Sequence, residues 1–213
     1  WDWTPQRLNV LVRYGEGPHM TALAVLGFAL WASWRALEKN RPGALAAAAV
    51  FCALTGSNNF YGGEALAIFF PIMVWSLWIT RLDYWIPARA AAIAVLSYAL
   101  CAFWLTKSYL EVTLNNLKIV ARPGHMWSVW IALGVAVVFV LASDRWGRGI
   151  PRRAWPVFVW GSFLAFTLNV LGDHYFNFRI AGEGGRLIPE MDLVVILLAI
   201  EGLRRLWNLD SAW

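Results

Sequence analysis

The chain has 213 residues, 60% of them hydrophobic and only 15% charged. A soluble domain of this length carries about 25% charged residues, so a fully water-facing surface is excluded. The net charge is +5, but the basic residues are spread through short loops and form no dense stripe, which excludes a nucleic-acid binder.

A helix needs roughly 17–25 mainly apolar residues to cross the hydrocarbon core. Seven segments read as spans: about 18–34, 42–55 (which is short), 63–80, 86–106, 126–142, 154–172 and 188–206. Many of the 15 tryptophans stand near the ends of these runs, as in the aromatic belts of membrane proteins. Spans two and three are joined by Gly56-Ser57-Asn58-Asn59-Phe60-Tyr61-Gly62, a breaker cluster that predicts a turn. Pro71 falls inside span three and predicts a kink. In the longest loop, 107–125, Leu110, Leu114, Leu117 and Val120 recur at helical spacing with Glu111, Asn115, Asn116 and Lys118 between them. That pattern predicts an amphipathic helix lying in the interface. No segment alternates as a barrel strand would. The expected fold is therefore an all-α integral membrane protein: one polytopic domain over residues 1–213, a bundle of about seven transmembrane helices. Cys52 and Cys101 sit inside apolar runs and read as small core residues. The first apolar run follows a polar segment carrying Arg7 and Arg13, so no signal peptide is read. A chain that opens on Trp1 and closes on Trp213 is expected to be part of a longer one.

Seven spans sort the loops onto two faces. The face with the 2–3, 4–5 and 6–7 loops carries seven lysines and arginines, and the other carries eleven. Positive residues favour the cytoplasm, so the 2–3, 4–5 and 6–7 loops are expected outside. His19, His125 and His174 fall on that outer face, with eight of the thirteen carboxylates. Ionisable groups at membrane depth, such as Glu64, Glu190 and Asp192, are costly and usually face a cavity or a partner.

Spans one, three, five and seven begin on the outer face, at Glu16-Gly17-Pro18-His19, Tyr61-Gly62-Gly63-Glu64, Pro123-Gly124-His125 and Arg186-Leu187-Ile188-Pro189-Glu190. Helix N-termini are ready anion sites, although every bundle has them on both faces. The 6–7 loop, 172–186, is the richest stretch: His174, Arg179, Glu183 and Arg186 stand among aromatics and four glycines. Arg179 and Arg186 can hold a phosphate through their forked donors, and the aromatics can contact a sugar or a lipid tail. The plainer reading is an interfacial loop with snorkelling arginines. Glu64, beside Asn59 and Tyr61, is either a functional carboxylate (a general base or a metal ligand) or a helix N-terminal carboxylate, and Glu190 carries the same ambiguity. The histidines show no metal-ligand spacing, so no metal site is assigned.

Asn59-Phe60-Tyr61-Gly62, Phe178-Arg179 and Arg186-Leu187-Ile188-Pro189-Glu190-Met191-Asp192 resemble segments of the C-type polytopic membrane glycosyltransferases of bacteria. That class includes proteins labelled pyruvoyl-tetrahydropterin synthase-related membrane proteins. The resemblance implies a bacterial cytoplasmic-membrane protein that binds membrane lipid and a polyprenyl-phosphate-linked sugar donor at the outer leaflet. It implies an extracytoplasmic carboxylate as base on the acceptor hydroxyl, with Glu64 or Glu190 as an auxiliary catalytic carboxylate and His19, Asn59, Tyr61, His174, Arg179, Glu183 and Arg186 as substrate contacts. A divalent metal sometimes assists in this class. The class places its catalytic acid in the first external loop, and no equivalent follows span one here, which fits a C-terminal piece. Two other functions suit the same pattern: a lipid or solute transporter or flippase, and a non-catalytic subunit of a membrane complex. The apolar middles of most spans argue against an ion path, and span seven has no lysine for a retinal.

Overall fold

The computed structural model describes residues 17–103, 105–120, 126–178 and 183–207. Among the described residues there are eight α-helices and no strand: α1 (Gly17–Lys39), α2 (Pro42–Asn58), α3 (Phe60–Arg81), α4 (Trp85–Cys101), α5 (Lys107–Val120), α6 (Met126–Gly147), α7 (Ala154–Phe176) and α8 (Ile188–Leu206). Two short 3-10 turns, Pro151–Arg153 and Gly184–Leu187, lead into α7 and α8. A helix stands at each of the seven expected spans. Four stretches, Gly17–Lys39, Phe60–Arg81, Trp127–Gly147 and Pro151–Phe176, are long and apolar enough to cross a membrane. The α2 and α4 helices are apolar but have 17 residues each, and α8 carries Glu190, Asp192, Glu201, Arg204 and Arg205 within its 19. Helix α4 stops at Cys101, short of the expected 106, because the chain turns at Ala102 and Phe103.

The chain divides into two compact units, and the division falls inside α3 at Pro71. Helix α3 runs through this proline, whose missing N–H leaves the Ala67 carbonyl without its helical donor.

In the first unit α1, α2 and the start of α3 pack closely. The expected seven-residue turn shrinks to Asn59 alone. Thr55 Oγ1 donates to the Phe51 carbonyl at 2.8 Å and Asn58 Nδ2 to that of Leu54 at 2.7 Å, satisfying the last turns of α2. Asn59 is extended, and its Oδ1 accepts from the Tyr61 N–H at 2.8 Å, an N-cap for α3. The reversal is tight enough that a β-carbon on Gly62 would lie 2.6 Å from the Thr55 carbonyl oxygen and 2.7 Å from Ala22 Cβ. Arg89 of α4 donates to the Leu37 carbonyl at 2.6 Å, capping the end of α1. Cys52 and Cys101 are buried and unlinked. Cys101 Sγ donates to the Ala53 carbonyl at 3.2 Å, so both are core residues as expected. Helix α5 forms where the amphipathic pattern places it, with Leu110 and Leu114 exposed and Lys107 3.8 Å from Glu111.

The second unit holds the rest of α3, α6, α7 and α8. Trp75 Nε1 donates to Ser143 Oγ at 2.9 Å, and the Gly149 N–H to the Ile79 carbonyl at 3.0 Å, tying α3 to α6 and to the turn that follows it. Helix α6 is the most apolar of the long helices, yet only 11% of its most hydrophobic stretch is buried. An exposed apolar surface of that extent suits lipid rather than water.

Candidate functional site

The expected site residues fall in two groups, one in each compact unit. In the first unit His19, in the first turn of α1, is fully buried. Its ring lies against Tyr61, with centroids 5.5 Å apart and planes tilted by 34°. Asn59 caps the helix that carries Tyr61. Glu64 follows on the next turn of α3, with both carboxylate oxygens shielded from solvent. The turn thus brings His19, Asn59, Tyr61 and Glu64 into one neighbourhood. It does so by helix capping and ring packing, and His19 offers no surface for a substrate.

The second group surrounds the connection from α7 to α8. Helix α7 ends at Asn177, which takes the left-handed conformation (φ 52) that asparagine tolerates. Its N–H donates to the Asp173 carbonyl at 3.2 Å and the Phe178 N–H to that of Gly172 at 2.9 Å. The chain therefore folds back, and the Phe178 ring reaches Trp127 at the start of α6 (centroids 5.5 Å apart). His174 is exposed, edge-on to Tyr175 at 4.7 Å. Further on, Asp173 Oδ2 accepts from the Gly184 N–H at 3.1 Å. Arg186 Nε donates to Glu183 Oε2 at 2.9 Å, both side chains being partly exposed. Glu190, in the first turn of α8, is fully buried. Arg179 lies outside the described residues, as do Glu16 and His125.

Several residues that position this loop have no signature in the sequence. Gly184 sits so close to α7 that a β-carbon there would meet the Asn169 carbonyl oxygen at 2.6 Å and Asp173 Cβ at 2.8 Å. Asn169 and Asp173 are one turn apart on α7, and an asparagine within an apolar run was the available signal. Below the loop, α6 and α7 form an apolar groove of about 480 Å³ lined by Trp127, Ile131, Phe163, Leu164, Thr167, Leu168, Leu171, Gly172, Phe176 and Phe178. Its volume falls within the roughly 300–1,000 Å³ of small-ligand sites. Thr167 is the one hydroxyl-bearing residue of the lining, and its Oγ1 is buried without a hydrogen-bond partner among the described residues.

Among the described residues no cluster of three or more His, Cys, Asp or Glu side chains is placed to hold a metal ion. Comparison with family models, curated proteins and solved structures finds no match to the chain.

Proposed function

We propose that this is a glycosyltransferase-like membrane protein in which all seven apolar helices cross the bilayer and α5 lies in the interface. In this reading a polyprenyl-phosphate-linked sugar binds at the extracytoplasmic face, beside the loop from 172 to 187. The observation that carries the reading is the apolar groove between α6 and α7. It closes under Phe178, next to the loop that bears Glu183 and Arg186, and Arg179 follows Phe178 in the chain. A hydrocarbon tail in the groove would bring a phosphate to the loop that bears Arg186. Inside a bilayer the groove selects by shape, because lipid tails are as apolar as its walls. Discrimination then falls to the phosphate, which the forked guanidinium donors match.

The chemistry follows from that placement. An acceptor hydroxyl attacks the anomeric carbon, the bond from that carbon to the phosphate oxygen breaks, and polyprenyl phosphate departs. The leaving phosphate gains negative charge, which fixed positive groups stabilise. A carboxylate takes the hydroxyl proton. Glu190, fully buried until an acceptor reaches it, is the candidate within this unit, since it begins the helix that follows the loop.

The test is turnover of a polyprenyl-phosphate sugar by the protein purified from its own membrane. Glu190→Gln is expected to lower transfer by at least about a hundredfold, the usual worth of acid–base catalysis, while donor binding persists. Arg186→Ala is expected to weaken donor binding. Unchanged transfer and binding in both variants would refute the assignment. A lipid carrier without transfer chemistry would use the same groove, and the predominantly apolar character of the lining favours it. Donor binding without turnover identifies that case.

A further inference from the structure

The other end of the second unit carries an arginine cluster that the transfer reading does not use. It is assembled from the end of α6, the start of α7 and the end of α8. Arg145 and Arg148 flank Trp146, Arg152 and Arg153 precede α7, and Arg204 and Arg205 close α8. Against these six guanidiniums stand two carboxylates, Asp144 and Glu201, in the same stretches. The arrangement is built rather than loose. The Arg153 guanidinium carbon lies 4.9 Å from the centre of the Trp146 ring and that of Arg205 5.9 Å from it. Arg153 Nη1 also donates to the Trp146 carbonyl. Glu201 is 2% exposed and accepts from Arg204 Nε at 2.9 Å and from Arg205 Nε at 2.8 Å. Asp144 holds Arg148 at 3.2 Å.

We propose that this cluster binds the phosphate of an anionic glycerophospholipid in the inner leaflet, with Arg153 and Arg205 as its direct contacts and Trp146 at headgroup depth. The inference rests on the membrane-spanning reading above and is independent of any transfer chemistry. Arginines serving only as a topology signal need no fixed geometry. Here two, one from the turn before α7 and one from α8, are held on one indole. A guanidinium over a ring keeps its edge donors for an anion, and Arg205 is tied to Glu201 through Nε, so its terminal amino groups lie beyond that ion pair. The positive excess selects an anion. The flank selects a lipid over a free phosphate: Leu203, Leu206 and Trp207 beside the cluster are all exposed and give acyl chains a surface to cover. Basic pockets between helices on the cytoplasmic side recognise anionic headgroups in this way.

The test is native mass spectrometry of the protein released from nanodiscs of phosphatidylcholine containing a minor fraction of phosphatidylglycerol. The wild-type chain is expected to retain phosphatidylglycerol in preference to phosphatidylcholine. Each arginine near the headgroup contributes roughly a fivefold effect, so Arg153→Gln with Arg205→Gln is expected to lower retention on the order of twenty-five-fold. Arg35→Gln, an exposed cation of the first unit, is expected to leave it unchanged. Arg205→Lys keeps the charge but not the planar fork that stacks on Trp146, and is expected to retain phosphatidylglycerol less well than wild type. Equal retention by the double variant overturns the proposal, as does displacement of the lipid by excess inorganic phosphate, which would mark a site for the free ion. Alkaline carbonate extraction separates the two levels. A chain that resists extraction but shows no phosphatidylglycerol preference refutes this proposal alone. A chain that carbonate removes refutes the spanning reading and this proposal with it.

Discussion

The ring of Phe178 lies directly on Gly172, its Cδ1 2.9 Å and its Cβ 3.2 Å from where a β-carbon of residue 172 would stand. Any larger residue at 172 must push the ring away, and the ring closes both the groove and the start of the 6–7 loop. Overpacking of this kind costs about 1–3 kcal/mol. Gly172→Ala is therefore expected to lower the thermal midpoint of the detergent-solubilised protein and to weaken retention of a polyprenyl phosphate. A variant as stable and as retentive as wild type would show that Phe178 does not close the groove.

The loop beyond Phe178 is anchored by Asp173. Its carboxylate accepts from the Gly184 N–H at 3.1 Å, and hydrogen bonds to a charged group contribute about 1.5–3 kcal/mol. Asp173→Ala is expected to raise hydrogen exchange in the segment around Gly184 while leaving the middle of α7 protected. Gly184→Ala is expected to have the same signature, because the added β-carbon meets the backbone of Asn169 rather than a side chain that can move. Unaltered exchange in both variants would contradict the anchoring role.

Two glycines inside long helices are expected to behave in opposite ways. A β-carbon on Gly134 of α6 would have nothing within 4 Å of it, whereas one on Gly62 of α3 would meet the Thr55 carbonyl oxygen at 2.6 Å. Gly134→Ala is expected to be neutral or to stabilise by up to about 1 kcal/mol from helix propensity. Gly62→Ala is expected to destabilise by about 1–3 kcal/mol through overpacking. Thermal unfolding of the two single variants, compared in one detergent, checks the contrast.

Glu201 is buried beneath two guanidiniums that are themselves 32% and 46% exposed. Loss of a buried partner costs up to about 3–5 kcal/mol, and partial exposure of the arginines screens the pair. Glu201→Gln is expected to destabilise by about 1–3 kcal/mol on that basis. An unchanged thermal midpoint would show that the pairs contribute nothing to stability.

Most of the helices were legible because each is a long, mainly apolar run bounded by polar or breaker residues, and α5 because its leucines keep a helical spacing. The length of the 2–3 turn was not legible. Seven turn-forming residues stand in a row, but Thr55 and Asn58 bond back to α2 and Asn59 caps α3, so the helices absorb the rest. Among the site residues, sequence placed His174, Glu183 and Arg186 on one loop; Glu183 and Arg186 stand there, whereas His174 belongs to the last turn of α7. It could not show that His19 is buried against Tyr61, since helical periodicity says nothing about which faces of α1 and α3 meet. The groove required Trp127 and Phe178 to come together from positions 51 residues apart in sequence. The arginine cluster likewise joins Trp146 to Arg205 from a different helix. Such meetings depend on helix packing, which one sequence does not encode locally.

The proposed function requires that the groove between α6 and α7 hold the tail of a polyprenyl phosphate whose headgroup meets Arg186. The most direct measurement is native mass spectrometry of the protein purified gently from its own membrane, for wild type, Arg186→Ala and Leu168→Trp, the last placing an indole in the groove. Polyprenyl phosphate is expected to be retained by wild type and lost from both variants. A wild-type protein that retains none, even after polyprenyl-phosphate sugar is added, would contradict the proposed function.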